Sequence, residues 1–444
     1  MEGADPDRRT AGFKERTRVD EARAILREAV VGADESVGGA AGEPVVDVET
    51  VPIESADGRV LAESVTAERD VPHYERAAMD GYAVRAADTH GASGRSPAVL
   101  RIAEGRDDGP APVERGAAAR VHTGSALPDG ADAVVMIEHV TELADLGELE
   151  VEDAVAAGEN VAPVGEDVEA AATLYEPGHR LRPSDLGLLR SVGVDRVSVA
   201  DGPTVSVIPT GEELVDPGEE PGPGQVVETN GLTVSRLVER WGGGATYRDV
   251  VTDDPDALRA AIERDLAADV VVTTGGSSVG ERDLLPEVID GLGEVLVHGV
   301  ALKPGHPVCL GIVEETPVLA LPGYPVACIV NAVQFLRPVL RWLEGAPVED
   351  HPTVRARLDR KIPSEPGTRT FARVKLEARG TDGDDDRDSD DGERSHAAIP
   401  TRASGSGVLS SVALADGWVV VDESREGIPA GETIDVELWE SPDG

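Results

Sequence analysis

The segment "GVALKPGHPVCLG", residues 299–311, holds Lys303, one of only four lysines in 444 residues; the others are Lys14, Lys361 and Lys375. Other basic positions are arginine. A lysine ammonium is a compact charge on a flexible stem, suited to following a phosphate or oxyanion oxygen. Upstream, "TTGGSSVG" at 273–280 follows an apolar run and sets Gly275, Gly276 and Gly280 around the hydroxyls of Ser277 and Ser278. Successive backbone N–H groups and hydroxyl donors make an anion nest at a strand end, although a glycine pair also serves a plain tight turn. The loop lacks GxxxxGK[ST] and GxGxxG, so it is neither a Walker loop nor a dinucleotide fingerprint. Acids follow neighbouring strand-like runs: Glu212 and Glu213 after "VIPTG", Asp253 in "VVTDDP", and Asp283 in "GERD". Asp254 reads as a helix cap. Carboxylates beside an anion site repel it unless a cation intervenes, and hard oxygen ligands of this kind suit Mg²⁺ bridging to phosphates.

These residues need strands that end along one edge. Between 203 and 345 the pattern alternates. "TVSVIPTG", "ATYRDVVTDDP", "ADVVVTTGG" and "EVLVHGVALKPG" read as strands, and "TNGLTVSRLVERWGGG", "PDALRAAIERDLA", "DLLPEVIDGLG" and "YPVACIVNAVQFLRPVLRWLEG" as helices. Thr229 or Asn230 is the expected cap of the first helix. Such alternation predicts a parallel α/β layer with helices on both faces and ligands beyond the carboxyl ends of its strands. Around it, "VDEARAILREAV" (19–30) and "LRPSDLGLLRSVGV" (181–194) have helical spacing, and 43–65 mixes a short strand with a helix-like run. Residues 70–165 and those after "EGAPVEDHP" are rich in short strands and turns. The fold class is therefore multidomain α/β plus β. Asp80 in "AAMDGYAV" and Asp167 in "GEDV" read, alone, as ordinary turn residues.

Composition bounds the partners. With 85 acidic and 41 basic residues the formal net charge is −44. Such a field repels nucleic acid and anionic membranes, so neither is expected as a partner. Acid spread along the whole chain suits solubility in concentrated cytoplasmic salt, as in a halophilic proteome. Only "GTDGDDDRDSDDGERS" (380–395) concentrates it, as a solvated insert. Screening shrinks to about 3 Å at 1 M salt, so anion recognition there needs direct contact rather than long-range steering. No run of 18 apolar residues is evident, and "MEGADPDRRTAGFKERTR" lacks an apolar core, so neither a membrane span nor a secretory signal is expected. Cys309 and Cys328, the only cysteines, suit a reducing cytoplasm.

The ordered blocks "PHYERAAMDGYAV", "TGSALPDGADAVVMIEHV", "GENVAPVGEDV", "VIPTGEEL", "TDDPDALRAAI", "DVVVTTGGSSVGERD", "ALKPGHPVCLG", "LALPGYPVA" and "SGSGVLSSVALADGWVVV" resemble the molybdopterin molybdenumtransferase family, MoeA type, which includes the gephyrin E-domain. The resemblance spans about residue 19 to the C-terminus. It implies an elongated, L-shaped four-domain homodimer: a discontinuous first domain (15–65 and 168–202), a β-rich insert (66–167), a molybdopterin-binding α/β domain (203–347) and a C-terminal β barrel (348–444). It further implies that molybdate enters the dithiolene of adenylyl-molybdopterin, with AMP released and Mg²⁺ assisting.

Carried over by motif, the catalytic residues are Asp80, Asp167, Glu213, Asp253, Asp283 and Lys303, with Asp80 and Asp167 acting across the dimer. Glu213, Asp253 and Asp283 are the implied metal ligands. Thr210, Gly211, Gly275, Gly276, Ser277, Ser278, Gly280, Pro304, Gly305, His306, Pro322 and Gly323 are the implied substrate contacts. The implied partners, beside the second copy, are a molybdopterin adenylyltransferase and acceptor molybdoenzymes. Several positions depart from the family's pattern: Gly299 (with His298 adjacent) and His306 stand where lysine is common, Tyr324 where asparagine is, and Ala162 where a basic residue is frequent. These departures leave open a tungstate-preferring paralogue. The alternatives are an adenylyltransferase, disfavoured by the full set of domains, and a non-catalytic scaffold of the gephyrin type.

Overall fold

A computed structural model describes residues 16–32, 44–103, 111–276, 284–378, 396–401 and 407–440. The acidic insert at 380–395, and Ser277, Ser278, Gly280 and Asp283, lie outside the described residues.

The central sheet is ordered Gly244–Tyr247, Thr204–Pro209, Val270–Thr274, Thr316–Leu321, Cys309–Val313, Glu294–His298. Its first four strands are parallel. Three of them are strands that the alternation predicts, whereas the fourth, Thr316–Leu321, is not among those expected, and the predicted strand at Glu294–His298 lies at the far edge. The last two pairings are antiparallel, so Cys309–Val313 runs against the other strands, which corrects the expectation of a wholly parallel layer. The reason is local. Only Glu314 and Glu315 separate Val313 from Thr316, Glu314 has φ +55°, and a two-residue connection can join only antiparallel neighbours. Val270–Thr274 is buried throughout, and its alternate residues serve opposite faces. Val270 and Val272 pack toward the Asn230–Arg240 helix and the 325–343 helix, whereas Val271 packs toward Pro255–Asp265 and Leu285–Leu292.

Asp254 caps Pro255–Asp265 as expected, its side chain accepting from Ala257 N at 3.0 Å. Neither Thr229 nor Asn230 caps the preceding helix; Glu228 Oε1 does, accepting from Gly231 N at 2.7 Å. One helix, 325–343, is apolar enough by length and composition to cross a membrane, which corrects the expectation that no stretch passes that test. It is 94% buried here, as the core helix of the α/β unit.

C-terminal strands Arg369–Ala378, His396–Pro400, Thr353–Leu358, Thr433–Glu437 and Gly417–Val421 form a closed barrel, because Arg369–Ala378 pairs with both ends of the series. A two-residue strand, Leu302–Lys303, adds to its edge, aligned with Arg369 and Thr370. Lys303 is thus positioned by the barrel although it belongs in sequence to the α/β unit.

Toward the N-terminus, strands between Gly81 and Asp153 form a second six-stranded sheet. Val48–Pro52 pairs antiparallel with Arg196–Ala200, bringing together the two segments that flank it. The helix-like run expected at 43–65 is this strand followed by a short 3₁₀ turn, Ile53–Ser55. Helix Val19–Val31 buries Val19, Ala22 and Leu26, spaced as one helical face, in the cluster shared by the 325–343 helix and barrel residue Trp418.

Candidate functional site

Strands Thr204–Pro209 and Val270–Thr274 end side by side, at Thr210 and Gly275. A Cβ on Gly275 would stand 2.0 Å from the Thr210 carbonyl oxygen, and φ is +130°, so only glycine lets the chain turn here. Gly275→Ala is expected to destabilise the protein by about 1–3 kcal/mol, read as a lowered Tm with unchanged helix content. Gly276 follows with φ +64°. A Cβ there would be 3.0 Å from Thr210 Oγ1 and 3.5 Å from Asp253 Oδ1, which puts both polar atoms against the loop.

Neither atom has a hydrogen-bond partner among the described residues, although both are buried, and Thr273 Oγ1 and Thr274 Oγ1 share that condition. Buried polar atoms are ordinarily satisfied, so Thr210 Oγ1 and Asp253 Oδ1, both against Gly276, make this strand end the candidate place for a ligand. Burial, and then the negative charge of Glu213, push the Asp253 carboxyl above the usual range. Glu213 is held nearby, its carboxylate against Gly211 and its carbonyl accepting from Val226 N at 2.9 Å. Two carboxylates, one with an unsatisfied buried oxygen, fit a hard divalent cation. Among the described residues no set of three His, Cys, Asp or Glu side chains converges; Asp283, the third expected ligand, lies outside them.

The loop opens into a cavity of about 1660 Å³ between the α/β unit and the barrel. Glu213, Gly275, Gly276, Lys303, Pro304, Gly305, His306, Pro322 and Gly323 line it, so those expectations converge on one place. Thr210 and Gly211 lie just behind. Lys303 Nζ lies 2.9 Å from Glu365 of the barrel, with both side chains largely exposed. Burial, then the charges of Arg16 and Lys303, hold the His306 imidazole below its usual pKa, favouring the neutral ring. Gly305 has φ +116° and packs on Asn331, whose Nδ2 donates to Gly305 O at 3.0 Å and Ala327 O at 2.8 Å. Asn230 Nδ2 likewise donates to Gly323 O at 2.7 Å. Asn331 fixes its glycine loop from inside an apolar helix and Asn230 from the first residue of its own; sequence reasoning offered Asn230 only as a cap and missed Asn331.

It also missed the barrel wall. Among the described residues the cavity's charged lining is four cations, Lys303, Arg360, Lys361 and Arg373, against two carboxylates, Glu213 and Glu228. In a chain of net charge −44 that reversal is the electrostatic signature of an anion site. Three of the four cations flank strands of the last domain, where spacing alone gave no hint. The scarcity of lysine was the available signal, since Lys303 and Lys361 are half of the chain's complement.

The structure does not bring Asp80 or Asp167 to this cavity within one chain. Both are exposed in the N-terminal half. Asp80 accepts from Thr123 N at 2.7 Å and Thr123 Oγ1 at 2.9 Å, and these bonds, the backbone one foremost, hold its carboxyl low. Asp167 follows a turn in which its own N–H donates to Val71 O at 2.9 Å.

Residues 17–193 match the MoeA N-terminal region (domains I and II), 206–342 a probable molybdopterin binding domain, and 355–439 the MoeA C-terminal region (domain IV). A putative molybdopterin biosynthesis protein of Methanocaldococcus jannaschii is 36% identical over 400 residues, covering 88% of this chain and 92% of that one. The chain belongs to the MoeA family. Molybdopterin molybdenumtransferase 2 of Mycobacterium tuberculosis is 34% identical over 341 residues, covering 74% of this chain and 83% of that protein. The crystal structure of the MoeA molybdopterin biosynthesis protein from Pyrococcus horikoshii OT3 superposes with a TM-score of 0.78 at 31% identity, over 96% of this chain and all of that one. The MoeA fold, with its molybdopterin-binding type of α/β unit and terminal barrel, is therefore the fold described above. The relatives named as molybdenumtransferases are transferases of molybdenum cofactor biosynthesis.

Proposed function

We propose that this MoeA-family chain inserts molybdate into the dithiolene of adenylyl-molybdopterin, with AMP as the leaving product and Mg²⁺ as the assisting ion. The observation that carries the reading is the cavity itself: a cation-lined wall in an acidic chain faces the strand end at Gly275 and Gly276, with the buried carboxylate oxygen of Asp253 packed behind that loop. Phosphates of the substrate rest on Gly275 and Gly276, extended by Ser277 and Ser278. Two molybdate oxygens leave as water as the two Mo–S bonds form, taking up the two dithiol protons and the two freed when the phosphoanhydride is hydrolysed. One of these waters attacks phosphorus, the phosphoanhydride P–O bond breaks, and AMP departs while Lys303 exchanges Glu365 for a phosphate oxygen. An exposed ion pair is a weak attachment, so a doubly charged oxygen cluster displaces it readily. Glu213 and Asp253, with Asp283, would hold Mg²⁺, which when bound offsets charge between these acids and the phosphates.

A homodimer would supply Asp80 and Asp167 from the second copy to the open side of the cavity. The cytoplasm is the proposed location, with an adenylyltransferase supplying substrate and molybdoenzymes accepting product. Because His306 and Tyr324 replace common family residues, tungstate is the second oxyanion to be tested. The deciding assay incubates the purified chain with adenylyl-molybdopterin, Mg²⁺ and either oxyanion in concentrated potassium chloride, and follows AMP. Oxyanion-dependent AMP release supports the proposal and ranks the metals; a folded chain that binds substrate yet releases no AMP with either sinks it in favour of a scaffold.

A further inference from the structure

The most exposed aromatic side chain among the described residues stands in this cavity. Tyr324 is 63% exposed, against 40% for Tyr247 and 38% for Tyr74. Aromatics are only 3% of the chain, and Phe371 and Trp418 are buried in the barrel, so an open ring on a cavity wall is out of keeping with the rest. Its hydroxyl has no hydrogen-bond partner among the described residues, so no polar tether explains its position. The backbone beneath it is firmly held. Asn230 Nδ2 grips the preceding carbonyl at 2.7 Å, and Tyr324 O accepts from Cys328 N at 2.9 Å to start the 325–343 helix. A rigid backbone under an unpartnered ring is the arrangement of a contact surface for something absent.

Its location says what. A Cβ on Gly323 would lie 3.4 Å from Gly275 Cα, so the ring is one residue from the point where this loop touches the anion-binding strand end. From the other side, a Cβ on Gly407 would stand 3.4 Å from Tyr324 Cδ1, so the barrel backs the ring edge with a glycine. A ligand whose phosphate sits on Gly275 and Gly276, answered by Lys303, would lay an adjoining flat group over Tyr324.

We propose that Tyr324 is the stacking platform for a planar heteroaromatic ring carried next to the bound phosphate. The assignment rests on the reading under Proposed function, and deepens it by naming the residue that senses the ring. Two rings fit this chemistry, a purine and a pterin, and the test separates them.

Full-length chain and its Tyr324→Phe, Tyr324→Ala and Tyr324→Asn variants are titrated calorimetrically with AMP and, separately, with 6-hydroxymethylpterin, in concentrated potassium chloride. Stacking on one aromatic side chain is worth about 1–3 kcal/mol, so Ala and Asn should weaken the stacked probe about 5- to 150-fold, while Phe stays within about twofold of the parent. Weakening of AMP alone assigns the purine, of the pterin alone the pterin, and of both a platform that accepts either. In turnover the same variants should raise KM for adenylyl-molybdopterin with little change in kcat, which a merely structural role would not produce. If the Ala and Asn variants keep the parent's helix content and bind both probes as tightly as it does, Tyr324 is not the platform, and the proposed reaction is untouched. A parent chain that binds neither probe removes this inference, while AMP release from adenylyl-molybdopterin remains the separate measure of the proposed reaction.

Discussion

Lys303→Ala should slow AMP release from adenylyl-molybdopterin about 100- to 1000-fold while leaving Tm and oligomeric state unchanged. A preorganised donor aimed at developing oxyanion charge has effects of that size in other enzymes, and here Lys303 lines the same cavity as the glycine strand end. The fold predicts the accompanying indifference of stability: the Lys303 side chain is more than half exposed and its partner in this structure is the exposed Glu365. Lys303→Arg should rescue poorly, because a planar fork cannot pivot from Glu365 to a phosphate oxygen as a lysine does. Glu365→Gln works in the opposite direction. Freed of its competitor, Lys303 should bind AMP or inorganic phosphate about two- to fivefold more tightly, a change of under about 1 kcal/mol. Steady-state turnover and phosphate titrations of the three variants check these statements together. Normal turnover by Lys303→Ala would remove the lysine from the reaction.

Asp253→Asn should separate the metal from the fold. Loss of a carboxylate from a cation site that supplies several kcal/mol of charge stabilisation slows turnover on the order of 100-fold or more. The same substitution should make the metal-free protein slightly more stable. Asp253 is raised above its ordinary range by burial and by Glu213, so its ionised form opposes folding at neutral pH. By linkage, a group with a raised folded-state pKa favours folding fully below its unfolded pKa, and that benefit is lost as pH rises through the folded value. An amide carries no charge to oppose folding at neutral pH, so Tm should rise there by about 2 °C. Mg²⁺ should raise the Tm of the parent and not of Asp253→Asn, a readout independent of turnover. Equal Mg²⁺ stabilisation of both proteins would exclude Asp253 as a ligand.

How far the sequence revealed all this depended on how local the cause was. Asp254 was legible because a cap, a proline and a helix follow one another within three residues. Three of the four parallel strands, Thr204–Pro209, Gly244–Tyr247 and Val270–Thr274, were legible because a helix separates each from the next; Thr316–Leu321 was missed because it follows a strand rather than a helix. The antiparallel edge was missed, though "VEET" is as short as a hairpin loop can be, because strand–helix alternation was given precedence over it. The cap by Glu228 escaped for another reason: a glutamate reaches back to Gly231 from outside the usual cap position.

At the site, Lys303, Gly275 and Asp253 announced themselves through odd composition and strand-end placement. Arg360, Lys361 and Arg373 did not, because they join the cavity only when a barrel nearly 60 residues downstream of Lys303 closes over it. Asp80 and Asp167 stay apart from the site within one chain; the role proposed for them requires a second copy, whose placement no periodicity in a single sequence encodes.

The two-residue strand that ties Lys303 to Thr370 has a bearing on how this protein can be cut or fused. Its ammonium hangs from a seam where one apolar cluster runs from the α/β unit into barrel residues Phe371, Trp418 and Trp439, so the α/β portion expressed alone would forfeit both the lysine's address and part of its own packing. Engineers wishing to append a tag or a partner domain would do better at the terminus opposite the barrel.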